Sequence, residues 1–389
     1  MASALTAEIT RRHLEDLPTQ HEASITDVRY LSSYNWIEAP TPTIAVPGSP
    51  ALWSAPAGPR QLKKDSGLVY IAQNAARHPD SPLEPLFRAL HITNPGFDLR
   101  STDIITDRNN IRKLLSFVNP SLSSSGLESF TIGIEVTKNT AIFCREETKT
   151  HEFIGLHEFK GFGHEFEKAY TKSRVSGDTG HHRIIAYRFG DLNFIVRHET
   201  DGYVATTTQA SSGKEPEHDV ISSMFASLSL SPNTSLSAVT PGGSKLRIRK
   251  EGEVVPLQST LEVKTRVFHK HLQIRDVAPQ LWVSQTPKLV RAYHRNGTFQ
   301  EPKVEDVAGA IKSWEQDNHA DLRKLAALIN KILSVAKELG GSTIMKYDTM
   351  GDKLIVSKIA RKKMLPDDLY SGWDNASVDT SVSKKALDP

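Results

Sequence analysis

Two short stretches carry residues that could do chemistry together: Phe194-Ile-Val-Arg-His-Glu199-Thr-Asp201-Gly-Tyr203 and Thr260-Leu-Glu262-Val-Lys264-Thr265. Each reads as a β-strand ending in charge. In an extended strand, side chains two apart point to the same side of the sheet. Glu199 and Asp201 therefore share a face, as do Glu262 and Lys264. Hard divalent cations prefer oxygen ligands, so a carboxylate trio could hold one or two of them. A cation held there activates water for attack on a phosphodiester, and the lysine can neutralise developing charge and orient that water. Carboxylates and lysine in this pattern point to a nuclease centre.

The elements that must position these residues are legible around them. Arg183–Phe189 and Leu192–Arg197 flank Gly190-Asp191, a two-residue hairpin turn, and the second strand runs into Glu199 and Asp201. Gly161 to Tyr170 is expected to open a helix on which Gly163, Phe166, Glu167 and Tyr170 share a side. Glu167 then lies next to a buried face, where a carboxylate is costly unless paired or bound to a metal; a capping or surface glutamate is the other reading. Residues 103–118 give an amphipathic helix with Ile111, Leu114, Leu115 and Val118 on one face. Arg108, Arg112 and Lys113 fall at its start or flank, and taken alone they read as a solvated basic side. Residues 318–339 form the clearest helix, ended by Gly340-Gly341.

Other candidates carry less. Glu135-Val-Thr-Lys138 imitates the acid–lysine pair, but a separation of three puts the two side chains on opposite faces of a strand. His181, His182 and His198 could suggest zinc, yet adjacent histidines seldom reach one ion, and they read as polar strand-end residues. Lys245-Leu-Arg-Ile-Arg-Lys250 alternates basic and apolar residues, which would suit a nucleic-acid backbone and also an edge strand blunted by charge.

Composition sets the frame. The chain has 389 residues, 38% hydrophobic and 24% charged, as a globular protein has. No stretch approaches the roughly eighteen apolar residues of a membrane span, so no membrane partner is expected. The single cysteine, Cys144, rules out an internal disulfide and a multi-cysteine zinc site. A reducing compartment, nucleus or cytoplasm, fits that usage. Net charge is 48 − 45 = +3, too balanced for a chain-wide polyanion binder. Residues 1–28 read as a flexible N-terminal arm, 29–373 as a single catalytic domain, about 206–243 as a disordered Ser-rich insertion, and 374–389 as a disordered tail.

The order Glu167, Glu199-x-Asp201, Glu262-x-Lys264 resembles the PD-(D/E)xK nuclease core, and within it the DXO decapping exoribonuclease family. Gly163-His-Glu-Phe-Glu167 matches the family's G-Y-K-F-E helix, Glu199-Thr-Asp201 its E-V-D strand and Glu262-Val-Lys264 its E-L-K strand. Trp282-Val-Ser-Gln285-Thr286 resembles W-x-x-Q-S, Ile104–Asn109 the arginine segment F-x-x-W-R-G, and Pro366 to Trp373 the P-S-W-like ending. Asp107 and Asn109 stand where the family has tryptophan and glycine.

The resemblance implies an α/β (mixed α+β) fold with largely antiparallel mixed sheets flanked by helices. It implies Mg²⁺ or Mn²⁺ on Glu167, Glu199, Asp201 and Glu262, with Lys264 positioning water. Gln285 would contact substrate or water, and Arg108 would bind the phosphate of an RNA 5′ end. The implied activity is removal of incomplete or unusual RNA caps and 5′-end degradation, with RNA as partner and an exoribonuclease as a protein partner. Two alternatives stand beside it: a nuclease of the same fold acting on DNA or another phosphate ester, and a non-catalytic RNA-binding partner protein. An isoprenoid-diphosphate enzyme is excluded, because Asp367-Asp368 lacks the distal aspartate of a D-D-x-x-D motif.

Overall fold

A computed structural model describes residues 6–18, 22–122, 126–155, 157–205, 237–239 and 243–374. Most of the expected Ser-rich insertion, and the tail beyond Asp374, lie outside the described residues. The larger of its sheets has twelve strands. From edge to edge they are Thr6–Thr10, Lys353–Lys358, Ser342–Asp348, Thr131–Thr137, Thr140–Glu146, Ile104–Asp107, Leu192–Glu199, Asp178–Phe189, Ile25–Ile37, Thr43–Pro47, Arg247–Glu251 and Ser237–Val239. Most neighbours are antiparallel; Ile104–Asp107 runs parallel to both of its neighbours, and Thr43–Pro47 parallel to Arg247–Glu251. The mixed α+β architecture expected from the sequence is what the chain adopts.

The central strands are buried on both faces and so read as continuous apolar runs. Alternate residues go to opposite cores: Phe194 and Val196 to one, Ile195 to the other. The first core is closed by the helices Arg108–Val118, Ile274–Ser284, Ala308–Asp317 and His319–Glu338. The second is closed by the helix Glu84–Thr93 and by the 3₁₀ segment Asp367–Trp373. Trp373 is buried there and donates its indole N–H to Thr140 Oγ1 at 2.8 Å.

A second, smaller sheet is built on Thr260–Val267, which pairs parallel with Lys288–Arg295 and antiparallel with Gly202–Tyr203. Leu261 and Val263 join an apolar cluster with Phe166, Tyr170 and Phe299. Period-two alternation then turns Glu262 and Lys264 to the opposite side. The chain leaves the large sheet at Glu199 and enters the small one at Gly202. Thr200 and Asp201 make the crossing.

One expectation changes. The N-terminal arm is not loose where it is described: Thr6–Thr10 pairs antiparallel with Lys353–Lys358 and is followed by a helix, Arg11–Glu15. Ile9 and Leu14 are sunk in the core, and these two isolated apolar anchors are too sparse to show a period. The strand Thr43–Pro47 ends on its proline, at the end of the pairing where a missing N–H costs least.

Candidate active site

Glu167 sits on the helix Gly163–Tyr170. Asp65 Oδ1 accepts the Glu165 N–H at 2.9 Å at the start of that helix, and Phe166 and Tyr170 are fully buried against Phe299 and Trp53. This packing fixes the helix rotation and holds Glu167, half-buried, on the wall of a cavity of about 720 Å³. Arg108, Asn109, Gln73, His182, Glu199 and Asp201 line the same cavity. Glu199 faces this cavity, and Asp201 Oδ2 accepts the Val263 N–H at 2.7 Å, which ties the crossing segment to the lysine strand. Gly180 faces Glu199 closely: a Cβ there would stand 2.7 Å from Gln73 Oε1 and 3.3 Å from Glu199 Oε1.

Glu262 lies behind this wall, 2% exposed. Its Oε1 accepts from Lys264 Nζ at 2.5 Å and from Gln280 Nε2, and its Oε2 accepts from Arg108 Nη1 at 3.2 Å. Burial works to raise its pKa, but Lys264 and Arg108 outweigh it and carry the carboxyl down to about 2. The other three acids go the opposite way. Burial, then Glu262, pushes Asp201 up to about 8, against the pull of Lys264. Burial raises Glu167 well above the usual carboxylate range, with Asp201 and Glu199 adding to it. Enclosure also raises Glu199, with Arg108 opposing. Burial works to lower Lys264, yet Glu262 and Asp201 prevail and raise it.

The donor set is all oxygen, and Glu167 and Glu199 make no ion pair with any described residue. These are the groups a hard cation would compensate. Among the described residues, however, no three carboxylate, histidine or cysteine side chains stand in a ready-made ligand set. The chemistry of the donors fits Mg²⁺ or Mn²⁺; their positions require side-chain movement, above all at Glu262, whose oxygens are held by Arg108, Lys264 and Gln280.

Gln285 does not join the cluster. It ends the helix Ile274–Ser284 in the left-handed conformation (φ 53°) and turns its amide onto the Trp282 carbonyl at 2.5 Å. Gln280, five residues earlier, takes the place at Glu262. Its signal was a lone amide inside the apolar run Val277-Ala-Pro-Gln-Leu-Trp-Val283. Glu135 is remote in role: it accepts from the Met364 N–H at 2.9 Å and from Tyr370. Asp107, the departure beside Arg108, forms a two-bond pair with buried Arg197 at 2.7 and 3.0 Å. His181, His182 and His198 are buried rather than polar strand ends, and burial holds all three pKa values down, His198 to about 3.

In fold, the chain is similar to solved Rai1 and Dxo1 structures. Scheffersomyces stipitis Rai1, solved with (3′-NADP)⁺ and calcium, superposes with a TM-score of 0.57 at 11% identity, over 96% of this chain and 98% of that one. Candida albicans Rai1, solved with pU5 and Mn²⁺, gives 0.57 at 10%, over 95% and 99%. S. pombe Rai1 gives 0.53 at 12%, over 92% and 100%. By sequence, the chain belongs to the family described as a domain of unknown function (DUF8563), which matches residues 9–372. No curated protein matches it by sequence.

Proposed function

We propose that the chain is a divalent-cation-dependent hydrolase acting at the 5′ end of RNA, removing incomplete or non-canonical caps or degrading the RNA from that end. One observation carries the reading: four acids from three separate segments meet one lysine and one arginine at the junction of two sheets. The likeness in fold to Rai1 crystallised with pU5 and Mn²⁺ supports it. Glu167, Glu199, Asp201 and Glu262 would hold the cation. A bound Mg²⁺ or Mn²⁺ would supply an acidified water and neutralise phosphate charge.

The chain's own residues do the rest. Lys264, cationic and fixed at Glu262, stabilises charge developing on the phosphate and orients the attacking water. Arg108 is the mobile partner: an arriving phosphate competes with Glu262 for its guanidinium, and two-pronged arginine–phosphate pairs are strong. Its release from Glu262 frees Oε2 as a ligand, which couples substrate arrival to completion of the centre. Gln280 keeps Glu262 oriented during that exchange. The buried histidines, held neutral, wall the cavity without adding positive charge.

A second reading, an RNA-binding protein without hydrolysis, is favoured by the ion pairs that occupy Glu262 and by the lack of a ready-made ligand set among the described residues. Incubating matched RNA and DNA oligonucleotides carrying 5′-triphosphate, NAD or monophosphate ends with Mn²⁺ separates the readings. RNA products released from the 5′ end support the proposal. DNA cleavage alone transfers the activity to another substrate, and binding without products supports the second reading.

A further inference from the structure

The mechanism uses Arg108 and leaves its neighbours on the same helix unexplained. Arg112 lies one helical turn on, at i+4, and so flanks the same side as Arg108. It is half-buried, and its side chain makes no hydrogen bond or ion pair with any described residue. Among those residues, the carboxylates around it are engaged elsewhere. Glu262 is taken by Arg108, Lys264 and Gln280, while Glu147 is paired with Arg145 and sits 3.9 Å from Lys113. Burial lowers the Arg112 pKa first, and the like charges of Arg108 and Arg145 add to that, with Glu262 opposing. A partly desolvated guanidinium without a counter-ion is costly unless a ligand supplies one.

A second donor is independently idle. Asn109 lines the cavity, and its Nδ2 is sealed from solvent with no acceptor among the described residues. It sits between Arg108 and Arg112 on the first turn of an eleven-residue helix. That helix start has no side-chain cap, since Asp107 is committed to Arg197. Arg145, also on the cavity wall, comes from the strand packed against this helix.

We propose that Arg112 and Asn109, within the field of Arg145, form a second phosphate subsite beside Arg108. It takes another phosphate of the same nucleic-acid chain whose 5′ phosphate Arg108 binds. This rests on the RNA 5′-end reading above. The shared chemistry is a phosphate adjoining the 5′-terminal one, which can be the next internucleotide phosphate or the outer phosphates of a polyphosphate end.

The test is fluorescence anisotropy of a short oligouridylate with a 5′-monophosphate or 5′-triphosphate end, in Ca²⁺, across a series of KCl concentrations. Each single-strand phosphate contact contributes about 0.7 to the slope of log affinity against log salt. Arg112→Gln is expected to weaken binding about tenfold at low salt and to reduce that slope by about 0.7, with Arg112→Lys restoring the slope. An effect on both oligonucleotides assigns the internucleotide phosphate; an effect confined to the triphosphate assigns the outer phosphates. If Arg112→Gln does not fold, phenylglyoxal modification of the wild type is read at Arg112 by mass spectrometry, and protection by the oligonucleotide is expected. An unchanged slope, or modification of Arg112 at the same rate with and without oligonucleotide, overturns the subsite. Binding that needs Arg108 but not Arg112 leaves the 5′-end reading standing; no binding by the wild type overturns both.

Discussion

Glu262 is held by three donors, and Gln280 is the one whose loss leaves the charges intact. Gln280→Ala is expected to reduce cation affinity or turnover about 10–100-fold, the range for groups that orient a ligand, without a comparable fall in melting temperature. Isothermal titration with Mn²⁺ and a thermal scan check the two halves. Arg108→Ala is expected to tighten Mn²⁺ binding in the absence of RNA, because it removes the cation that occupies Glu262 Oε2, while weakening RNA binding. Weaker Mn²⁺ binding in that variant would contradict the exchange of partners at Glu262. The pH dependence follows from Asp201, which ionises at about 8 in the fold against an ordinary 3.8. A carboxyl raised in this way stabilises the fold while protonated; its contribution is whole below about pH 3.8 and lost as pH rises through about 8. Glu262 runs the other way, contributing above its ordinary 4.5 and losing that as pH falls through about 2. Cation-free melting temperature should therefore fall from about pH 6 to about pH 9, and Asp201→Asn should flatten the fall. At this scale Glu262 and Lys264 were legible because strand period puts them on one side, whereas the strand ends at Glu199 and Asp201 reaches the same cavity from the crossing between the sheets, not from a shared strand face. Gln280 was not, because its place at Glu262 depends on how one helix packs across two sheets, and Gln285 shares its residue type and stands next to the tryptophan motif.

The elements that carry the site show the same division. The hairpins, the helix carrying Glu167 and the long helix His319–Glu338 follow from turn chemistry and apolar period. Ile274–Ser284 contains Pro279, which hides a helix from a reading based on breakers. Asp107 looked like a loss from an RNA-binding segment; it is the partner that lets Arg197 be buried between the parallel strands Ile104–Asp107 and Leu192–Glu199. Asp107→Ala leaves that guanidinium uncompensated and is expected to cost roughly 3–5 kcal/mol, measurable by urea unfolding. A change under about 1 kcal/mol would mean the pair is not what holds this strand end in register.

Across the whole molecule, the twelve-stranded sheet is closed at one edge by Thr6–Thr10, a strand from a segment that reads as an arm. Removing residues 1–15 takes Ile9 and Leu14 from the core, about 1.5–3 kcal/mol each. The truncated chain should melt lower while keeping its cation affinity, since the site lies at the junction with the other sheet. That junction is the feature on which the functional reading depends: Glu199 ends the large sheet, Asp201 crosses, and Glu262 and Lys264 wait on the small one. The decisive measurement is hydrolysis of 5′-triphosphate RNA by wild type and Glu262→Ala in Mn²⁺, with and without chelator. Release of 5′-end products by the wild type, abolished by chelator and by Glu262→Ala, is the predicted result. Equal activity in the two proteins, or none in either while RNA is bound, would contradict a catalytic centre built on these acids.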